Sequence, residues 1–167
     1  MTIALAVRGD NGYHLATDAQ ISRGSSVEYM SVPKLISAGH AKILYCGTVS
    51  LCQELTENTN GDDAELVAIQ LAVAVRKRMG RKRTPLDVDF LVCDGRKLFS
   101  VAGDKAVLPV SGRWAAIGEE DMAVGAMWAA QRADRSPLLM AYAGVEACIH
   151  NTTTCGGEVQ YVFLPAQ

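Results

Sequence analysis

The chain has 167 residues, 49% of them hydrophobic, with 16 Lys and Arg against 18 Asp and Glu for a formal net charge of −2. A chain of this size buries about two thirds of its unfolded surface without a metal or disulfide staple, and the near-neutral balance offers no global field to draw nucleic acid or an anionic membrane. The five cysteines, Cys46, Cys52, Cys93, Cys148 and Cys155, are scattered and form no CxxC, so reduced thiols are expected and neither a disulfide framework nor a zinc site.

No apolar run reaches the length of a membrane span, and the amino terminus lacks the layout of a signal peptide. These features predict a cytoplasmic protein made of one domain over residues 1–167. Residues 2–8 read as a buried strand beginning directly behind Met1, Asp10-Asn11-Gly12 as a hairpin turn, and 13–17 as the returning strand. A serine- and glycine-containing stretch leads to a short extended piece over 27–30. A second hairpin follows, with strands at 34–37 and 42–46 across Ala38-Gly39-His40.

From Thr48 the apolar period lengthens. Leu51 and Leu55, then Leu66, Ile69, Leu71, Val73 and Val75, predict two helices, the second capped by Asp62 or Asp63. Strands resume over 88–92, 98–101 and 107–117, broken by Asp94-Gly95 and Gly103-Asp104. Helices over 120–133 and 137–149 and a last strand over 158–164 complete the order. Strands, two helices, strands, two helices and a strand point to an α+β layered domain rather than βαβ units. A four-layer helix–sheet–sheet–helix sandwich uses every element, and no internal repeat or low-complexity tract interrupts it.

The polar exceptions in the β-rich opening are Thr2, Asp18 and Lys34. A terminal threonine carries a hydroxyl nucleophile and, on the same residue, an amine to serve as its base. An α-amino group titrates at about 7.7–8.0, near neutrality. A neighbouring ammonium at Lys34 would push that amine down by like-charge repulsion and favour loss of the hydroxyl proton, while Asp18 would keep the lysine charged and in place. The chemistry requires removal of Met1. Taken singly, Thr2 is equally a good β-former, Asp18 a turn residue and Lys34 a solvated charge.

Several stretches together resemble one family, the proteasome β-subunit and the bacterial HslV peptidase among the N-terminal-nucleophile (Ntn) hydrolases. They are Thr2-Ile3, LATDAQISRG from Leu15, VPKLI from Val32, CGTVSLCQEL from Cys46, AAIGEEDMAVGAM from Ala115 and CGGEVQYV from Cys155. The resemblance spans nearly the whole chain. It implies the αββα sandwich of the Ntn hydrolases and a threonine endopeptidase working through an acyl-enzyme with no cofactor or metal. It also implies identical subunits in a ring chamber, an ATP-driven unfoldase as partner and peptide or unfolded protein as substrate. Position by position it makes Thr2 the nucleophile, Asp18 the support of the lysine, Lys34 the residue that tunes the nucleophile, and Gly47 the source of an oxyanion-hole N–H.

Two family positions differ. Gly118 is followed by Glu119 and Glu120 where the family has a serine, and Thr152 and Cys155 stand at the aspartate and serine of its D-x-x-S-G-G pattern. The alternative reading is therefore a catalytically inactive, ring-forming or scaffold relative. Elsewhere the residues read plainly: Cys46 as packed or pocket-lining, and His14, His40 and His150 as too scattered to ligate a metal. The cations over 76–83 read as a solvated helix end. Trp114, Met122, Met127 and Trp128 read as core or subunit interface. Ile21, Val32 and Cys46 are candidates for a modest apolar substrate pocket.

Overall fold

The computed structural model describes residues 2–23, 26–28, 33–82 and 84–166. Among them the strands are β1 (Ile3–Gly9), β2 (Gly12–Thr17), β3 (Ile21–Arg23), β4 (Ser26–Glu28), β5 (Leu35–Ala38), β6 (Ala41–Gly47), β7 (Val88–Cys93), β8 (Leu98–Ala102), β9 (Val107–Pro109), β10 (Trp114–Gly118) and β11 (Gln160–Pro165). The α-helices are α1 (Val49–Thr56), α2 (Ala64–Met79), α3 (Glu120–Arg132) and α4 (Pro137–Asn151). One antiparallel sheet runs β10-β1-β2-β11 and the other β5-β6-β7-β8-β9, with β3 and β4 paired as a separate ribbon.

The two-residue period of the strands sorts their side chains into layers. In β1, Ile3, Leu5 and Val7 pack with Ala123, Met127, Met140 and Val145 of α3 and α4. The alternate residues Ala4 and Ala6 face the other sheet and meet Leu44, Cys46, Leu91 and Cys93 in the seam. On the far side of the second sheet, Ile43, Tyr45, Phe90 and Val92 pack with Val67, Leu71 and Val75 of α2. The result is an α+β sandwich of two antiparallel sheets between helix pairs, as the element order predicted.

The first hairpin turns at Asp10-Asn11, and Gly12 is required where the last strand crosses it. Its φ is +145°, and a Cβ there would lie 2.1 Å from the Leu164 carbonyl oxygen. The choice of cap for α2 is resolved in favour of Asp63, whose Oδ1 accepts from the N–H groups of Glu65 and Leu66 at 2.9 and 3.0 Å. Asp62 instead accepts from the His40 N–H at 2.9 Å, tying the β5–β6 turn to the approach of that helix.

The run over 107–117 is not one strand. It divides into β9 and β10, which lie on outer edges of different sheets. The Val110 N–H still donates to the Leu98 carbonyl oxygen at 2.8 Å, so Pro109, on an edge strand, interrupts no bond to β8, and it is Ser111-Gly112-Arg113 that carries the chain across the seam. The extended piece expected over 27–30 appears as β4, and its last two residues lie outside the described ones. α4 runs two residues further than expected, to Asn151, and the last strand starts at Gln160 rather than at 158.

Candidate functional site

Thr2 continues the alternation of β1, so it shares the seam-facing side with Ala4 and Ala6 and is 5% exposed. The hairpin register pairs Ala4 with Thr17, and one step further the Asp18 N–H donates to the Ile3 carbonyl oxygen at 3.3 Å. The turn at Asp10-Asn11 therefore returns Asp18 to the start of β1. Lys34 comes from the other sheet. Its carbonyl accepts from the Tyr45 N–H at 3.3 Å and its own N–H donates to Gln160 Oε1 at 3.1 Å, anchoring it just ahead of β5.

These three side chains meet. Lys34 Nζ lies 2.8 Å from Asp18 Oδ1 and also donates to Thr2 Oγ1, while the Thr2 hydroxyl donates to the same Asp18 oxygen. A buried carboxylate needs its lone pairs filled. Asp18 Oδ1 also accepts from the Ile3 N–H at 3.1 Å, and Oδ2 accepts from the N–H groups of Gln20 and Gly156 at 3.3 and 3.2 Å.

Gly47 ends β6 opposite Val88. The Thr48 N–H donates to the Asp87 carbonyl at 2.9 Å, and antiparallel bonds alternate along a strand, so the Gly47 N–H turns away from β7 toward the β5 side. Lys34 enters from that same side. Gly47 has φ +112°, and a Cβ there would fall 2.2 Å from the Asp87 carbonyl oxygen, so the position demands glycine. The preceding residue, Cys46, places its thiol 3.7 Å from the Thr2 carbonyl oxygen. Burial pushes that thiol up to about 11, so it is a protonated packing group, as its place in an apolar run implied.

The Thr2 carbonyl also accepts from the Glu119 N–H at 3.1 Å. Gly118, with φ +96°, permits this approach, since a Cβ there would overlap the Thr2 carbonyl at 1.8 Å. The Glu119 carboxylate is half-buried and accepts from the Thr154 hydroxyl at 2.6 Å. Thr152 Oγ1 accepts from the Cys155 N–H at 3.2 Å and lies 3.3 Å from the Thr154 hydroxyl, so two chain segments that carry the departures from the family pattern are hydrogen-bonded to each other beside the site. Of the candidate pocket residues, Ile21 is half-buried and Cys46 buried, and Val32 lies outside the described residues.

Chemically, the trio holds a hydroxyl between an ammonium that stabilises negative charge on its oxygen and a carboxylate that keeps the ammonium in place. Among the described residues, no three His, Cys, Asp or Glu side chains are grouped to hold a metal, and no helix is long and apolar enough to cross a membrane. His14 pairs through Nδ1 with the Tyr161 hydroxyl at 2.8 Å.

Solved structures match this architecture over almost its full length. Thiobacillus denitrificans BPH in complex with epoxomicin superposes with a TM-score of 0.80 at 22% identity, covering 98% of each chain. The eukaryotic HslV of Trypanosoma brucei superposes at 0.82 and 20% identity, covering 98% of this chain and 99% of its own. The chain has the HslV/proteasome-like fold. Anbu, the ancestral β-subunit of Yersinia bercovieri, matches at 0.77 and 15% identity over 98% of this chain and 81% of its own. No protein-family model matches the chain, and no curated protein matches it.

Within the HslV-like sandwich, the seam between the sheets brings Thr2, Asp18 and Lys34 together, with Gly47 at the end of the neighbouring strand. Sequence reasoning missed the three backbone N–H donors on Asp18, from Ile3, Gln20 and Gly156. The one available signal was the Gly156-Gly157 pair, a sign of close backbone approach that did not say what was approached.

Proposed function

We propose that the chain is a threonine peptidase, cleaving peptide bonds with Thr2 after removal of Met1. The observation that carries this reading is the hydrogen-bonded meeting of Thr2 Oγ1, Lys34 Nζ and the Asp18 carboxylate in a buried seam. In this reading the freed Thr2 amine takes the hydroxyl proton and the oxygen attacks the scissile carbonyl. The C–N bond then breaks as the leaving amine takes that proton from the Thr2 ammonium, and water, deprotonated by the Thr2 amine, hydrolyses the acyl-enzyme. The Gly47 N–H stabilises the tetrahedral oxyanion, a role worth about 2.7–4 kcal/mol. Lys34 favours the neutral amine and the developing alkoxide, and Asp18 keeps Lys34 charged.

The peptidase works in the cytoplasm as a single domain in a ring of identical subunits, fed unfolded protein by an ATP-dependent unfoldase. Exposed apolar side chains on α2 (Leu66, Ile69, Val73) and α3 (Met122, Val124, Trp128) support the burial of these faces by neighbours. The second reading, an inert ring-forming scaffold, is favoured by Glu119 and Thr152 standing where the family carries a serine and an aspartate.

The deciding experiment treats purified protein with epoxomicin, the compound bound in the Thiobacillus denitrificans structure. Intact mass and peptide mapping follow, with hydrolysis of a fluorogenic peptide measured in parallel. The peptidase reading expects loss of Met1, one adduct on the peptide that begins at Thr2, and neither adduct nor hydrolysis in Thr2→Ala. Hydrolysis that persists in Thr2→Ala overturns it. A protein that lacks Met1, takes no adduct and cuts no peptide establishes the scaffold reading instead.

A further inference from the structure

The far end of β1 carries a second concave site. By the alternation of that strand, Arg8 shares the seam-facing side with Thr2, Ala4 and Ala6, and it lies about 20 Å along the strand from Thr2. There, where the chain leaves β9 to cross to β10, is a cleft of about 490 Å³. Arg8, Arg96 and Lys97 line it with cations, while Leu98 and Val110 line it with apolar surface continuous with the seam. Tyr13, opposite Arg8 in the first hairpin, also lines it.

The charges around the cleft differ in what they bond. Lys97 Nζ lies 3.4 Å from Asp63 Oδ2 and 3.3 Å from Glu65 Oε2, so its charge is answered. Asp94 turns its carboxylate to backbone: Oδ1 accepts from the N–H groups of Arg96 and Lys97 at 2.8 Å each, and Oδ2 from the Ala64 N–H at 3.0 Å. Among the described residues, nothing bonds or pairs with the guanidinium of Arg8 or of Arg96. The cleft therefore holds two cations without a counter-charge.

Tyr13 adds a donor. Its side chain is 2% exposed, and no group among the described residues bonds its hydroxyl. Every buried side-chain N or O atom among those residues does have a partner, so the Tyr13 hydroxyl is the part of the side chain that reaches open space. The open space beside it is the cleft. Burial raises the phenol above its ordinary value, which keeps it a protonated donor near neutrality. An anion in the cleft would give this donor its acceptor and the two guanidiniums their counter-charge.

We infer that the cleft binds a small organic carboxylate, its charged group held by Arg8, Arg96 and the Tyr13 hydroxyl and its apolar body lying on Leu98 and Val110. A guanidinium fork matches the two oxygens of a planar carboxylate. The apolar lining favours a ligand with a hydrocarbon part over a bare inorganic ion, and the volume falls within the range of about 300–1,000 Å³ for small-molecule sites. The N–H groups of Arg96 and Lys97, which would otherwise cradle a phosphate, are taken by Asp94. Binding there does not depend on what Thr2 does.

The test titrates phenylbutyrate into the wild-type protein by calorimetry. Saturable binding with a Kd of about 0.1–1 mM is expected. The neutral phenylbutyramide should bind at least about tenfold more weakly, since it lacks the charge that the guanidiniums meet. Arg8→Gln and Arg96→Gln should each weaken binding of the acid about tenfold, and the conservative Tyr13→Phe about fivefold. Irradiation with benzoylbenzoate, a photoreactive carboxylate of the same class, should label the tryptic peptides 9–23, 98–105 or 106–113, which carry Tyr13, Leu98 and Val110. Excess phenylbutyrate should suppress that label.

The absence of saturable binding below about 5 mM overturns the site. Label found only on other peptides, or an affinity unchanged in both arginine variants, does the same. An amide that binds as tightly as the acid, or inorganic phosphate that suppresses the label as well as phenylbutyrate does, overturns the assignment to an organic carboxylate. Each readout is of binding and none is of hydrolysis, so failure here leaves the peptidase reading standing.

Discussion

Lys34 and Asp18 form an ion pair across the seam between the two sheets, 2.8 Å from Nζ to Oδ1, with side chains 2% and 0% exposed. Taking two charges out of water costs several kcal/mol for each. The cost is offset by their mutual attraction, the Thr2 hydroxyl between them and the three backbone N–H groups on Asp18. Breaking such a pair from one side leaves an uncompensated buried charge. Lys34→Met is therefore expected to destabilise the fold by about 3–5 kcal/mol, and adding Asp18→Leu to recover part of that loss. Urea unfolding of the single and double variants checks the sign, and a double variant less stable than Lys34→Met contradicts it.

Thr2→Ala separates chemistry from stability. It removes the hydroxyl but leaves the ion pair, so the stability change should stay near about 1 kcal/mol while peptide hydrolysis disappears. Comparing urea midpoints with turnover of a fluorogenic peptide reads both effects in one preparation.

Gly47→Ala should harm both. The residue holds φ +112°, and its new Cβ would meet the Asp87 carbonyl oxygen at 2.2 Å. Strain of about 1–3 kcal/mol is expected. The displaced N–H should lower turnover about 10²–10³-fold, the range for losing an oxyanion donor. Thermal melting and kcat together check it, and unchanged kcat in a folded variant removes Gly47 from the mechanism.

The cap of α2 offers a local test. The backbone N–H of Leu66 leads the interactions that hold the Asp63 carboxyl below its ordinary value. A depressed carboxylate contributes stability above its unfolded pKa and loses it as the pH falls through the folded value. Asp63→Ala should cost about 1 kcal/mol near neutrality, and the gap to wild type should close in acid below about pH 4. Denaturation midpoints for both proteins across that window measure the gap.

Burial lowers the pKa of His14, which pairs with Tyr161. For a base, a lowered folded pKa means that the unfolded chain binds more protons, so stability should fall as pH drops below about 6.5. His14→Gln should flatten the urea midpoint between about pH 7 and 5. An equally steep decline in that variant assigns the dependence to another group.

Much of the fold was legible because its causes are local. Alternating Ile3, Leu5 and Val7 against Ala4 and Ala6, and the Asp10-Asn11-Gly12 turn, specify β1, β2 and the register that returns Asp18 to Ile3. The run over 107–117 misled because its apolar residues serve two sheets. Ser111-Gly112 was the cue for a break, but which sheet each half joins is a long-range outcome.

The sequence alone determined the periodicities, the turns and therefore the layers, since these follow from backbone sterics and the burial of apolar faces within short windows. Only the tertiary structure decided that Lys34, from the second sheet, reaches Thr2 and Asp18 of the first, and that Gly156 N–H closes on Asp18 from behind. Those contacts cross 32 and 138 residues of chain. They depend on how two sheets and a helix-end loop stack, and no local preference encodes that distance.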